Sequence, residues 1–194
     1  MPDAVSELRA LADSFGYPEL WHEYGLLDLG TLLTDVAALD DDPRTERSRA
    51  RAFARLVDGR SRWSDGAFAR FLRLIEAEPD ATVADEALTG LVESGTLSGP
   101  QLRLLTKDDR WSSVSARARD ELLMKAVAED VGGLDARLTA AVQGGRRAHL
   151  FLLALPTLQA AVLEVLAERG ADRSIRNQAR DVLRRRGGAE RDTG

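Results

Sequence analysis

Cysteine is absent from the 194-residue chain. That excludes a disulfide framework, a thiolate zinc site, an iron–sulfur cluster and a cysteine nucleophile. A chain without thiols fits a reducing compartment, and we expect a cytoplasmic protein. Long apolar runs are missing too. The longest, Leu150–Leu155, falls far short of the roughly 20 residues of a membrane helix. Met1-Pro2-Asp3-Ala4 has neither a basic segment nor an apolar one, so no secretory leader is expected there. Lysine is nearly absent, with Lys107 and Lys125 alone against a large set of arginines. Arginine suits bidentate contacts to carboxylate or phosphate, but the same bias follows from a GC-rich, bacterial genome. Strand signals are scarce. Asp58-Gly59 and Asp65-Gly66 lie between helical patterns rather than between alternating apolar runs.

What is present points to a folded, helical chain. Hydrophobic residues make up 44% and the net charge is only -5, a balance that disordered chains do not have. Alanine, leucine, arginine and glutamate dominate, all good helix formers, and apolar residues recur at spacings of three and four. These patterns predict helices near residues 4–14, 18–27, 30–39, 44–57, 65–77, 81–94, 98–106, 112–129, 133–142, 145–154, 157–168 and 173–186. Glycine and proline fall between them, as at Pro43, Gly59, Pro79, Gly99-Pro100, Gly144-Gly145 and Gly170. Asp80 and Asp172 are placed to accept hydrogen bonds from the first free N–H groups of the helices that follow.

Charge is segregated along the chain. Residues 1–42 carry ten acids against Arg9, and residues 43–74 carry nine arginines against Glu46, Asp58 and Asp65. The Arg169–Arg191 stretch is basic again and contains Arg184-Arg185-Arg186. An acidic block followed by a basic one can fold helix against helix, or can offer two partner surfaces.

The second half repeats. Val83-x3-Ala87-x3-Leu91 is followed by Val114-x3-Ala118-x3-Leu122, by Gly144-x3-Ala148-x3-Leu152 and by Ile175-x3-Ala179-x3-Leu183, at steps of 31, 30 and 31 residues. A leucine-rich helix lies between successive copies. Paired helices at such a period are the mark of a helical solenoid, in which each pair buries its apolar face against the next and a central alanine permits close approach. Asp172-Arg173-Ser174-Ile175-Arg176-x2-Ala179-x3-Leu183 resembles the D-x-x-[VI]-R-x-x-A-x-x-x-L pattern of HEAT repeats. Asp80-x2-Val83-x3-Ala87-x3-Leu91 keeps the Asp, Val, Ala and Leu, with Ala84 in place of the Arg; the copy at Val114 has Trp111 where the Asp would stand. The resemblance covers roughly residues 65–186. It implies an all-α protein, a right-handed α-solenoid of HEAT-like pairs that binds proteins, or less often nucleic acid, along one face. The expected organisation is a helical N-terminal cap over 1–60, repeats over 61–186 and a flexible tail over 187–194.

Catalytic patterns are lacking. His22-Glu23 begins like a metalloprotease helix, but Leu26 stands where the second His is required. There is no phosphate-binding Gly-x4-Gly-Lys loop and no G-x-S-x-G elbow. Asp40-Asp41-Asp42 lacks the alternating ligand spacing of a calcium loop and reads as a solvated helix end. We therefore assign no catalytic residue, metal ligand or cofactor, and expect a protein that is not an enzyme.

The repeat register yields candidates for partner binding. After the central alanine come Leu88, Arg119, His149 and Arg180; before it come Glu86, Arg117, Arg147 and Gln178. In a regular solenoid equivalent positions lie side by side, so Arg119, His149 and Arg180 would form a basic ladder beside Arg117 and Arg147. Arg176, the arginine of the HEAT-like pattern, joins them. Trp63 and Trp111 can stack on bases or anchor an interface, or close a core from a loop. Tyr17, Trp21 and Tyr24 share one helical face, which reads as core. The leading expectation is a scaffold or adaptor that binds a protein partner through the array face. One alternative is a nucleic-acid binder similar to alkylpurine DNA glycosylases, opposed by a sequence pI near 5.2. Another is an inhibitor or immunity-type protein that masks a basic partner with its acidic N-terminal region. No membrane association is expected, and no part of the pattern dictates an oligomeric state.

Overall fold

The computed structural model describes residues 4–37, 45–107 and 109–189. Among them every regular element is helical: α1 (Ala4–Ser14), α2 (Leu20–Glu23), α3 (Leu29–Ala37), α4 (Glu46–Asp58), α5 (Asp65–Ala77), α6 (Ala81–Glu93), α7 (Gly99–Leu105), a 3₁₀ turn (Asp109–Trp111), α8 (Ser112–Ala128), α9 (Gly133–Gln143), α10 (Arg146–Ala154), α11 (Ala160–Arg169) and α12 (Arg173–Ala189). The sequence-predicted helices agree closely with these. The largest departures are α2, a single turn instead of ten residues, and α12, which continues through Gly187-Gly188. Asp40-Asp41-Asp42 lies outside the described residues, as does the end of the tail beyond Ala189. No helix among the described residues is long and apolar enough to cross a membrane.

Caps fall where side-chain chemistry predicts. The Asp80 carboxylate accepts from Thr82 N–H (2.8 Å) and Val83 N–H (3.2 Å) at the start of α6. Asp172 accepts from Ile175 N–H at 2.9 Å at the start of α12. Bonds to the ionised form hold both carboxyls below the ordinary carboxylate range, Val83 N–H contributing most at Asp80 and Ile175 N–H most at Asp172. Ser64 caps α5 through Ala67 N–H.

Contacts divide the chain into two compact units, Met1–Gln101 and Leu102–Gly194. Within the first unit α4 lies against α6. The first unit is built on aromatics. Tyr17, Trp21, Phe53, Phe71 and Trp63 form a chain of edge-to-face contacts with centroid separations of 5.3, 4.9, 5.6 and 5.2 Å, the geometry their quadrupoles favour. A buried ion pair ties the unit together. Arg49 on α4 meets Glu78 at 2.9 Å, with side chains 5% and 0% exposed. Arg49 also donates to the Phe15 carbonyl at 2.7 Å. Gly16 adopts φ +69° beside it, where a Cβ would come within 3.1 Å of the guanidinium. The sequence-expected pairing of acidic and basic blocks is realised here in part: Arg55 of the basic block grips Asp35 of the acidic block through both oxygens at 2.5 Å.

The second unit has a different core, of Val127, Ala140, Ala141, Leu152, Leu158, Val162, Leu163, Leu166, Ile175 and Ala179. Within it α8 packs on α9, α9 on α10 and α11 on α12, while α8 also meets α10, α9 meets α11 and α10 meets α12. Next-but-one helices thus touch throughout this unit, whereas the consecutive α10 and α11 do not pack closely on one another.

Candidate partner-binding site

The central alanine of each repeat copy is buried: Ala87 is 9% exposed, Ala118 0%, Ala148 1% and Ala179 0%. Its neighbours on either side therefore point about 100° away in opposite directions. The preceding column faces outward, with Glu86, Arg117 and Gln178 exposed and Arg147 half-buried. Arg147 approaches the buried Glu121 carboxylate of α8 at 3.6 Å.

The following column is not a continuous ladder. Arg119 and Arg180 are exposed, but Leu88 and His149 are buried. His149 is 2% exposed, and both of its ring nitrogens are used inside the chain. Nε2 bonds to the Ala141 carbonyl at 3.1 Å, and Nδ1 accepts from Ala171 N–H at 3.0 Å. Those partners define the Nε2–H tautomer. His149 thus joins the end of α9 to the turn before α12 and offers nothing to a partner. Burial pushes its pKa below the ordinary value of 6.5.

The remaining candidates divide between surface and interior. Arg176 is half-buried and donates to the Gly170 carbonyl at 2.7 Å, tying α12 to the turn ahead of it. Arg180 reaches Asn177 on its own helix at 3.2 Å. Trp111 is half-buried at the start of α8. Trp63 belongs to the core: it is 5% exposed, stands edge-on to Phe71, and carries the Arg60 guanidinium 4.7 Å from its ring centroid. Its carbonyl accepts from Gln101 at 3.1 Å. A loop tryptophan next to arginines closes the core here and leaves no ring face for a base. The exposed candidates are therefore Arg117 and Arg119 on α8 and Arg180 on α12, all in the second unit.

Two features escape a reading along the sequence. One is an acidic groove between α4 and α6, about 470 Å³, lined by Asp58, Glu86 and Glu93 over Ala54, Ala87 and Gly90. Its only sequence signal is small residues at helical spacing on two helices that are not consecutive. The other is charge by unit. Met1–Gln101 holds 19 acids against 10 arginines, a net charge of -9, and Leu102–Gly194 holds 13 acids against 17 basic residues, a net charge of +4. No group of three or more His, Asp or Glu that could hold a metal ion occurs among the described residues. These features describe an all-helical protein with charged exterior faces on two compact units. The chain matches no family model, no curated protein and no solved structure.

Proposed function

We propose that this chain is a non-enzymatic, cytoplasmic helical-repeat adaptor, a right-handed solenoid of HEAT-like pairs in its second half, that binds a protein partner through the arginines of that array. The observation that carries this reading is the alternation on α8 and α12. Ala118 and Ala179 are buried while Arg117, Arg119 and Arg180 beside them are exposed. The packing of next-but-one helices, α8 on α10, α9 on α11 and α10 on α12, supports the same reading, because equivalent helices of stacked pairs meet in that order. The exposed arginines of α8 and α12 offer planar, bidentate donors to carboxylates without the cost of burying charge.

Reversing Arg119 and Arg180 together to glutamate should abolish capture of the partner from the native host in mild salt, with helical content by circular dichroism unchanged. Full capture by that double variant would discard the reading. A second reading is nucleic-acid binding, favoured by the net +4 of the second unit. It requires nucleic acid in the eluate and affinity that falls steeply with salt. A glycosylase-like site within this unit would need an acid among aromatics, but the unit holds only Trp111 and Phe151 as aromatics. Its buried Asp120 is committed to the start of α10, where Gly145 N–H binds it at 2.6 Å.

A further inference from the structure

We propose that the acidic groove between α4 and α6 seats the arginine face of α12 from a second copy of the chain. The groove floor is made of Ala50, Ala54, Val57, Val83, Ala87 and Gly90, and the charged residues lining it are Asp58, Glu86 and Glu93; no basic residue among those described lines it. Gly90 leaves the groove open, since a Cβ there would meet nothing within 4 Å. A floor of small side chains accepts the aliphatic stem of an arginine while the carboxylates meet its head.

Helix α12 supplies the matching face. Arg173, Arg176, Arg180 and Arg184 lie on one stripe at spacings of three, four and four residues. Of these Arg173, Arg180 and Arg184 are exposed, while Ile175 and Ala179 on the opposite side are buried in the core. Glu86 and Glu93 are seven residues apart, as are Arg173 and Arg180, so both pairs repeat at roughly 10 Å along a helix. The opposite net charges of the two units, -9 and +4, bring the acidic unit of one copy to the basic unit of another. Such a contact joins different surfaces on the two copies, so association grows with concentration unless the geometry closes a ring. The inference shares α12 with the adaptor reading but does not rest on it, because the groove lies in the first unit and the test uses the purified chain alone.

Light scattering of the full chain tests it. In about 0.01 M salt, where the screening length is about 30 Å, the weight-average mass should exceed 21.2 kDa and rise with concentration. In about 1 M salt, with screening at about 3 Å, it should return to the monomer. Gly90→Leu fills the groove from an open position and replaces glycine within a helix, so it should fold at least as well as the parent. It should nevertheless weaken association at least about tenfold, which is about 1.4 kcal/mol. The pairs Asp58→Lys with Glu86→Lys, and Arg173→Glu with Arg184→Glu, should each be monomeric alone and associate when mixed. A monomer at low salt, or association unchanged by Gly90→Leu, would overturn the proposal. A charge-swapped mixture that stays monomeric would overturn it as well.

Discussion

His149 illustrates how one residue type carries different meanings by depth. On a surface column it would take up a proton as the pH falls below about 6.5; between α9 and the turn before α12 it is a neutral linker with both nitrogens bonded. Because its folded pKa lies below 6.5 through burial, the unfolded chain takes up the proton first. The His149 contribution to stability is therefore flat above about pH 6.5 and declines as the pH falls through that value, until the folded form is protonated too. His149→Gln should lower the urea midpoint at pH 7 by the equivalent of about 1–3 kcal/mol, the cost of unmet buried bonds. It should also flatten the pH dependence between pH 5 and 7 relative to the parent, which urea titrations at several pH values would measure. An unaltered slope would show that other groups carry the acid sensitivity. Arg49 is the second residue whose burial decides its role. Arg49→Met leaves the Glu78 carboxylate uncompensated at 0% side-chain exposure, and should cost about 3–5 kcal/mol. Glu78→Met in the same chain should recover part of that loss. A double variant as unstable as the single one would point to the lost Phe15 carbonyl bond instead.

At the scale of the element, α10 shows why a degenerate repeat copy still fits. Its equivalent of the leading valine is Gly144, which is not helical but sits at the end of α9. A Cβ at Gly144 would approach that of Ala148 to 2.7 Å, and the carbonyl of Ala140 more closely still. The start of α10 lacks a capping side chain of its own. Asp120 on α8 supplies one, accepting from Gly145 N–H at 2.6 Å and Ala148 N–H at 3.4 Å. Asp120→Ala should therefore cost about 1–2 kcal/mol, in the range of a lost N-cap. Gly144→Ala should cost about 1–3 kcal/mol through overpacking. Thermal melts would measure both, and hydrogen exchange should show the Asp120 effect concentrated in the first turn of α10. Uniform loss of protection across the second unit would instead make Asp120 a general core residue.

At the scale of the whole molecule, charge rather than shape separates the two proposed contacts. The array face uses Arg119 with Arg180, and the groove uses Asp58 and Glu86 on helices of the other unit. Gly90→Leu should consequently leave partner capture unchanged while removing self-association, and Arg119→Glu on its own should do the reverse. Parallel pull-down and light-scattering measurements on the two variants check this separation. Loss of both activities in either variant would mean that the two contacts overlap beyond the α12 arginines they share.

Helix positions, break points and the caps at Asp80 and Asp172 were readable along the chain because they depend on residues within a few positions of one another: apolar spacing, glycine and proline, and a carboxylate three residues before an N–H. The burial of the alanines at 30- and 31-residue steps followed from the same local periodicity. The interior places of His149 and Trp63, the reach of Asp120 to α10 and the groove between α4 and α6 were not readable. Each depends on which helix packs against which, and that is set by long-range burial of apolar faces rather than by neighbours in sequence. Composition and periodicity alone determined an all-helical, cysteine-free chain with segregated charge. Only tertiary packing decided which arginines stay at the surface, because a column of equivalent positions is turned inward or outward by the rotation of each helix on its core.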